Sequence, residues 1–214
     1  IYRSVNIGLI NELHLVCKKM KINIFDALNA AETKPFGFKA FYPGPGVGGH
    51  CIPVDPYFLT YKAKQFGVLT NFIKLAGKIN DQRPLEISKT ISNFIKKKKL
   101  KKKVLILGFT YKKNSDDIRE SPIVKIYKLL RKRIKNDVYI CDPLINKNAF
   151  KSINNFSFIS YKDIKKKNFS KSFDLCFVGT NHDMFDYEMI AKKFKFIFDS
   201  RNSFMKKTKN IIIV

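Results

Sequence analysis

The chain of 214 residues has no long hydrophobic run, because none of its apolar stretches approaches the roughly 18 residues of a transmembrane helix. Its first residues mix polar and apolar side chains, so no signal peptide is visible. These two absences predict a cytoplasmic protein with no membrane partner. An initiator Met and an N-cap before the first helical repeat are also absent, so we expect a fragment that begins partway through a helix.

Cysteine is scarce and forms no CxxC pair, so a disulfide framework is not expected. Three of the four cysteines, Cys17, Cys141 and Cys176, stand inside apolar runs and are predicted to be small buried core residues. Cys51 alone stands in a setting that could make it reactive.

Acidic residues are few: 17 Asp and Glu stand against 42 Lys and Arg, for a formal net charge of +25. Such a charge suits a nucleic-acid partner, because clustered cations bind phosphates and release their counterions. The lysines, however, are spread over nearly every segment, and no nucleic-acid-binding motif accompanies them. We therefore predict no nucleic-acid partner and keep nucleic-acid binding as an alternative. An anionic small substrate suits the charge equally well.

Four glycines within six residues, at positions 44, 46, 48 and 49, leave a backbone that another molecule can approach closely. Their spacing matches a dinucleotide fingerprint, but a true fingerprint follows a buried strand and opens a helix, whereas this run contains two prolines. The run delivers Cys51, with Asp55 four residues later. This pattern indicates a nucleophile presented on a loop beside a polar partner, its thiolate stabilised by loop N–H groups and a nearby cation.

Two other interpretations of Cys51 stay open. His50, Cys51 and Asp55 could bind a metal, but three ligands this close with no second cluster make a weak zinc case, so no metal is predicted. Cys51 could also be a buried loop thiol without chemistry.

Residues 1–95 show helical periodicity. Apolar residues at positions 5, 9, 13, 16 and 20 predict a first helix, and Asn23 is expected to cap a second one over 24–31. A third helix is predicted from about Pro56 to Gly67, and a fourth over 70–95, which Pro84 should kink or split. Seven lysines within 96–103 then separate two different patterns, so we place a domain boundary there.

Residues 96–214 instead alternate between short apolar runs and helical segments. Strands are predicted over 104–108, 138–141, 156–159, 175–179, 194–198 and 211–214, with helices over 121–132 and 187–192. The alternation predicts an α/β fold with a parallel, doubly wound sheet. Such sheets bind ligands at the carboxyl ends of their strands, where residues 111–121 and Arg201 could hold phosphates. His182 also follows a strand and is interpreted as a structural hydrogen-bonding residue.

The sequence FYPGPGVGGHCIPVDPY at 41–57 resembles the active-site segment of the nucleotide-sugar 6-dehydrogenases. With residues 34–38 included, it most resembles the bacterial UDP-N-acetylglucosamine 6-dehydrogenase branch. Residues 108–113 and 117–121 resemble the C-terminal domain of the same family, and residues 80–84 and 199–201 fit as well. These motifs stand in the family's order over essentially the whole chain.

The resemblance implies a central helical, dimerisation-type domain over 1–95, followed by a Rossmann-like, parallel-sheet UDP-binding domain over 96–214. It implies an NAD-dependent oxidation of the C6 alcohol of a UDP-sugar to a carboxylate, in the synthesis of surface polysaccharides. A UDP-N-acetylhexosamine is the favoured substrate and UDP-glucose the alternative. A homodimer or a higher homo-oligomer is implied too.

Roles for individual residues are carried over from the resemblance by position. Cys51 matches the nucleophile that forms a thiohemiacetal and then a thioester, and Asp55 matches the carboxylate that helps position water. The residues that match substrate contacts are Phe41, Tyr42 and Gly48 at the sugar and uridine, and Tyr111, Lys112 and Arg201 at the UDP part. Arg119 matches a residue that reaches the NAD pyrophosphate.

Several family features are missing from this sequence. The N-terminal NAD-binding domain is absent, and so are a Lys and an Asn that stand just upstream of Ile1 in the family. No Arg occurs between Arg3 and Arg83, so Lys34 or Lys39 would have to replace an arginine that many members receive from a neighbouring subunit. We expect the chain alone to be inactive, and a catalytically inert UDP-binding or dimerisation module remains the alternative function.

Overall fold

The computed structural model describes residues 1–145, 156–206 and 208–214. Four helices form the first part of the chain: α1 (Tyr2–Lys19), α2 (Ile24–Glu32), α3 (Cys51–Gln65) and α4 (Asn71–Lys97). Asn23 caps α2 as predicted, because its side chain accepts the N–H of Phe25. Within the described residues, no helix combines the length and the apolarity needed to cross a membrane.

The apolar stripe that predicted α1 is not the face that α1 buries. Leu9, Leu13, Val16 and Met20 are all between 40 and 62% exposed. The buried face of α1 instead carries mostly small and polar residues, Ser4, Gly8, Asn11 and His14, together with the apolar Ile10. Gly8 lets α1 pack closely on α4, since a Cβ at this position would lie 3.1 Å from the carbonyl oxygen of Ala76.

Helix α4 continues through Pro84 as one element, so the predicted split does not occur. Proline lacks the N–H that would bond to the carbonyl of Asn80, four residues earlier. Gly46 lies against this place, because a Cβ on it would be 3.3 Å from the oxygen of Asn80 and 3.4 Å from Cδ of Pro84. Beyond the proline, the apolar face of α4 packs into the core of the following sheet.

The second part of the chain is built on a five-stranded parallel sheet with strand order β2-β1-β3-β4-β5. Its strands are β1 (Lys103–Leu107), β2 (Val138–Cys141), β3 (Phe173–Val178), β4 (Phe196–Asp199) and β5 (Ile211–Ile213). Its helices are α5 (Pro122–Arg133), α6 (Tyr161–Ile164) and α7 (Tyr187–Lys193), and Phe169–Ser172 forms a 3-10 turn. The α/β, Rossmann-like prediction is thereby confirmed.

Hydrophobic side chains cover both faces of this sheet. One face carries Val104, Ile106 and Phe177 against α5 and against Ile87, Ile91 and Ile95 of α4. The other face carries Leu105, Leu107 and Val178 against α7. One prediction was wrong: residues 156–159 form no strand of their own, because only Phe158 makes a bridge, to Ile140.

A buried polar network between α1 and α4 holds the start of the glycine run. Asn11 donates from Nδ2 to Oδ1 of Asn80 (2.9 Å) and accepts the N–H of Gly44 on its own Oδ1 (3.0 Å). The Nε of Arg83 donates to the carbonyl of Gly44 at 3.2 Å, and its NH1 pairs with Glu86 at 2.9 Å. Both backbone groups of Gly44 are therefore bound from the helical layer.

His14 belongs to the same network and predicts how stability depends on pH. Burial lowers its pKa from 6.5 to about 4, helped by the charges of Arg83 and Lys18. Because the unfolded chain binds this proton more tightly, the free energy of unfolding should fall between pH 6.5 and 4, by on the order of 2 kcal/mol at pH 5. Urea titrations at pH 7 and pH 5 measure this change.

The variant His14→Gln should lose most of this pH dependence, whereas His50→Gln, at an exposed position, should keep it. A wild-type chain equally stable at both pH values would contradict the prediction.

Candidate active site

The glycine run and the sheet meet at the carboxyl ends of the strands. The chain order of the strands reverses around β1 and β3, and this switch point is where open α/β sheets bind ligands. Residues 108–121 follow β1 there, Arg201 follows β4, and residues 43–50 lie against both. A cavity of about 540 Å³ opens between them.

Six of the nine residues assigned from the sequence line this cavity: Gly48, Cys51, Tyr111, Lys112, Arg119 and Arg201. A second cavity, of about 500 Å³, lies between α7 and the segment around Phe204. Its lining surface is mostly apolar, and the described residues that form it include no cysteine or arginine. The cavity beside Cys51 is therefore the candidate active site.

Two glycines allow the two parts of the chain to touch at this cavity. A Cβ on Gly48 would lie 2.4 Å from Cβ of Tyr111, and one on Gly49 would lie 2.9 Å from the Tyr111 ring. The N–H of Gly49 donates to the carbonyl of Arg119 at 2.9 Å. Any larger side chain at position 48 would separate the two loops.

Cys51 is the first residue of α3, where the sequence predicted a loop residue before a helix that starts at about Pro56. The helix begins earlier, with Pro53 in its first turn, where proline is tolerated, and Pro56 lies inside the helix. Cys51 is exposed, whereas Cys141 and Cys176 are buried as predicted and Cys17 is only partly buried. A helix N-terminus favours negative charge, such as that of a thiolate.

Asp55 lies one turn along α3 from Cys51, outside the cavity lining. Its carboxylate is 3.4 Å from Nδ1 of His50, and the ligand atoms of His50, Cys51 and Asp55 all lie within 4.8 Å of one another. All three side chains are exposed. A closed structural zinc site has four ligands, so this group falls one short, and our expectation of no metal stays a prediction.

Phe41 and Tyr42 are not brought to the cavity. The hydroxyl of Tyr42 donates to Glu32 of α2 at 3.0 Å, and its ring stacks on Phe25. Phe41 packs edge-on against Tyr2. Phe41 therefore packs on α1 and Tyr42 packs on α2.

Arg201 is held in place before any ligand binds. Its N–H donates to Asp199 at 2.8 Å, its Nε donates to the carbonyl of Gly179 at 3.0 Å, and its NH1 lies against Gly44. Burial lowers the pKa of Arg201 to about 10, a shift that Asp199 partly opposes, so the guanidinium stays charged at neutral pH.

Arg119 lies at the exposed rim of the cavity and binds Asp117 through Nε and NH2 at 2.6 to 3.0 Å. These hydrogen bonds and the charge of Asp117 raise the pKa of Arg119, with smaller contributions from Tyr111 and Cys51. They lower the pKa of Asp117. A pyrophosphate at Arg119 would have to compete with this carboxylate.

Arg3 was missed by the sequence prediction, although it lines the cavity from the first turn of α1 together with Ile7. The two residues are four apart on the helix, but they do not belong to its apolar stripe. Their role depends on where α1 crosses the glycine run, and no spacing in the sequence signals that crossing.

The large positive charge of the chain does not lie at the cavity. Segments 96–103, 131–135, 165–171 and 192–195 precede strands, so their many Lys and Arg residues gather at the opposite, amino edge of the sheet. The loops after the strands, 108–121, 179–186 and 199–201, hold fewer basic than acidic residues. An anion in the cavity would therefore meet only a few individually positioned cations, and the total charge of the chain does not predict their arrangement.

The fold and the site together define a Rossmann-like α/β unit joined to a helical unit that presents a cysteine. Residues 1–82 match the central domain of the UDP-glucose/GDP-mannose dehydrogenase family, and residues 105–206 match the UDP binding domain of the same family. The chain belongs to this family.

Two curated relatives illustrate the similarity. The chain is 32% identical over 212 residues to the UDP-N-acetyl-D-mannosamine dehydrogenase of Methanococcus maripaludis, covering 94% of this chain and 45% of the relative. It is 34% identical over 187 residues to the UDP-N-acetyl-D-glucosamine 6-dehydrogenase of Salmonella typhi, covering 86% of this chain and 42% of the relative. The chain thus spans less than half the length of these relatives.

Among solved structures, the UDP-D-ManNAc dehydrogenase of Pyrococcus horikoshii superposes with a TM-score of 0.79 at 29% identity. The match covers 99% of this chain and 48% of that one. The helical part and the sheet are therefore arranged as in a UDP-sugar dehydrogenase.

The contact at Gly48 can be tested by hydrogen exchange. In Gly48→Ala the new methyl group would force Tyr111 away, so the hydrogen bond from Gly49 to Arg119 should break and the Gly49 amide should exchange at least about tenfold faster. The control Gly37→Ala has no atom within 4 Å and a φ of +75°, so it should cost stability without changing this exchange rate. Unchanged Gly49 exchange in Gly48→Ala would disprove the contact.

Proposed function

We propose that the chain forms the substrate-binding and covalent-catalysis part of an NAD-dependent UDP-sugar 6-dehydrogenase, with a UDP-N-acetylhexosamine as the favoured substrate. The observation that carries this proposal is the cavity in which Cys51 of the helical part faces Tyr111, Lys112 and Arg201 of the sheet part. The names of the relatives support an N-acetylhexosamine, and UDP-glucose stays the alternative.

The diphosphate of the substrate would bind to placed cations. Arg201 is fixed through Nε, so its remaining N–H donors can bind phosphate oxygens in the bidentate manner of a guanidinium. Lys112 and Arg3 add charges on two other sides of the cavity. Tyr111 presents a ring beside them, suited to the nucleoside part.

Cys51 would act on the aldehyde that the first oxidation produces. Its thiolate adds to the aldehyde carbon and gives a thiohemiacetal, loss of a hydride from that carbon gives a thioester, and water releases the carboxylate and the free thiol. The N–H groups at the start of α3 would favour the negative charge that develops there. Asp55, whose carboxylate lies within 4.8 Å of the sulfur, would orient the water.

NAD would accept a hydride in each of the two oxidations. The chain offers it one cation, Arg119, which suits a pyrophosphate but is already bound to Asp117. The described residues offer no Gly-rich turn between a strand and a helix for the rest of a dinucleotide: β1 leads into a single Gly108, which has a φ of +76° and where a Cβ would clash with the backbone of Thr180. We therefore propose that NAD is bound chiefly by residues outside this chain.

The roles of Phe41 and Tyr42 at the substrate receive no support from their positions, because both rings pack on the helical layer. Gly48 contributes to the site because its lack of a side chain lets Tyr111 pack against the glycine run. On its own the chain would bind UDP without turning over a sugar, which is the inert-module alternative.

A chimera tests the proposed chemistry. With the part of the Methanococcus relative that this chain does not match joined upstream, we expect two NADH for each uronate formed from a UDP-N-acetylhexosamine. Cys51→Ala should lower this rate by at least about 10³-fold, because the covalent route is lost. Cys17→Ala, at a partly buried thiol away from the cavity, should remain active. An active Cys51→Ala chimera would refute the mechanism.

We also propose that the chain self-associates through α1. Its stripe of Leu9, Leu13, Val16 and Met20 is exposed, and such stripes mark association surfaces. The stripe faces away from the packed side of the helix, so a second copy could cover it without disturbing the fold.

Sedimentation equilibrium tests this association. The wild-type chain should form dimers or larger assemblies, and Leu13→Lys should weaken the association at least about tenfold by placing a charge in an apolar interface. Met184→Lys, at an exposed residue of the sheet part, is the matched control and should have no effect. A monomeric wild type would exclude the proposed homo-oligomer.

A further inference from the structure

A buried hydrogen-bonded cluster at the switch point has no part in the chemistry proposed above. It joins Thr110 after β1, Asp142 after β2 and His182 after β3, and the first and last are fully shielded from solvent. Asp142 Oδ2 accepts the N–H of Phe109 at 2.7 Å and lies 3.0 Å from Nε2 of His182. The cluster therefore ties together the ends of three strands.

The partners of His182 define where its proton resides. Nδ1 accepts the backbone N–H of Asn114 at 3.0 Å, so this nitrogen carries no proton. The proton of the neutral ring is then on Nε2, which donates to Asp142. Burial alone would raise the pKa of Asp142, but hydrogen bonds from His182 and from the N–H groups of Phe109 and Leu144 hold it below its ordinary value.

Asn114 belongs to the loop that carries Tyr111 and Lys112 to the cavity. Its φ of 56° lies in the left-handed region, which Asn adopts more readily than most residues other than glycine, and two neighbours bind it there. His182 holds its N–H, and Asp183 exchanges two hydrogen bonds with its side chain, at 2.6 and 3.0 Å.

The same ring reaches the loop at a second point. Nε2 of His182 lies 3.2 Å from Oγ1 of Thr110, and this hydroxyl donates to the carbonyl of Lys112 at 3.0 Å. The two contacts of the ring therefore flank Tyr111 and Lys112 on both sides. His182 itself lines no part of the cavity.

We propose that His182 is a positioning residue for UDP: its neutral ring fixes residues 110–114 so that Tyr111 and Lys112 face the cavity. This inference rests on the proposed function, because it requires that the cavity binds UDP. A histidine that only stabilised the fold would affect the melting temperature but not the affinity for the ligand.

Two variants separate these roles, because each keeps only one of the two hydrogen-bonding functions of the imidazole ring. His182→Gln can still donate to Asp142 but places no acceptor near Asn114, whereas His182→Asn keeps an oxygen near the place of Nδ1 and loses the donor to Asp142. Calorimetric titration of UDP into each chain, with melting temperatures and exchange of the Asn114 amide, gives the three readouts.

We expect His182→Gln to bind UDP about tenfold more weakly and to exchange the Asn114 amide faster, because one hydrogen bond to the loop is lost. His182→Asn should stay closer to wild type in both readouts, even if its melting temperature falls as far. If both variants bind UDP at the wild-type level, or if the loss of affinity in each variant is simply proportional to its loss of melting temperature, the inference about His182 is overturned and the proposed function is not. A wild-type chain that fails to bind UDP would overturn the proposed function and this inference with it.

Discussion

The backbone contact between the glycine run and the loop after β1 is the constraint on which the site depends. It exists because position 48 carries no side chain where Cβ of Tyr111 arrives. On its other side the run is held by Asn11 and Arg83, which bind both backbone groups of Gly44. The run is thus fixed between two layers, and Cys51 starts a helix directly after it.

Helix α4 fixes the geometry of this contact, because the same helix packs in both the helical part and the sheet part of the chain. Its first half supplies Asn80 and Arg83 to the network under the glycine run. Its second half places Ile87, Ile91 and Ile95 in the core of the sheet. Because interiors pack densely and yield little, the distance between Cys51 and the sheet edge is set by the helix. Pro84 stands between the two halves, where Gly46 takes up the space beside it.

Basic residues of the chain are divided between the two edges of the sheet. Lysines near the ends of α4, α5 and α7 suit the negative ends of these helix dipoles, which lie at the amino edge of a doubly wound sheet. The cavity at the other edge holds a few cations instead, and Arg201 is partly desolvated and oriented by Gly179. A guanidinium can bind a phosphate in a bidentate manner, and partial desolvation strengthens this electrostatic interaction.

Patterns along the chain predicted what local chemistry controls: the helical segments, the cap at Asn23, the glycine run before Cys51 and six strands, of which five form the parallel sheet. These follow from periodicity, capping and backbone freedom, which act over a few residues. The resemblance supplied the family and nine candidate residues, six of which line one cavity.

The sequence by itself therefore determined the fold class, the family and the cysteine that we propose as the nucleophile. Only the tertiary structure decided that Arg3 reaches the cavity, that Phe41 and Tyr42 pack on other helices, and that the apolar stripe of α1 faces outward. It also revealed the contacts of His182. These outcomes depend on how α1, α4 and the sheet cross in space, and contacts between residues about 70 positions apart leave no periodic trace in a sequence.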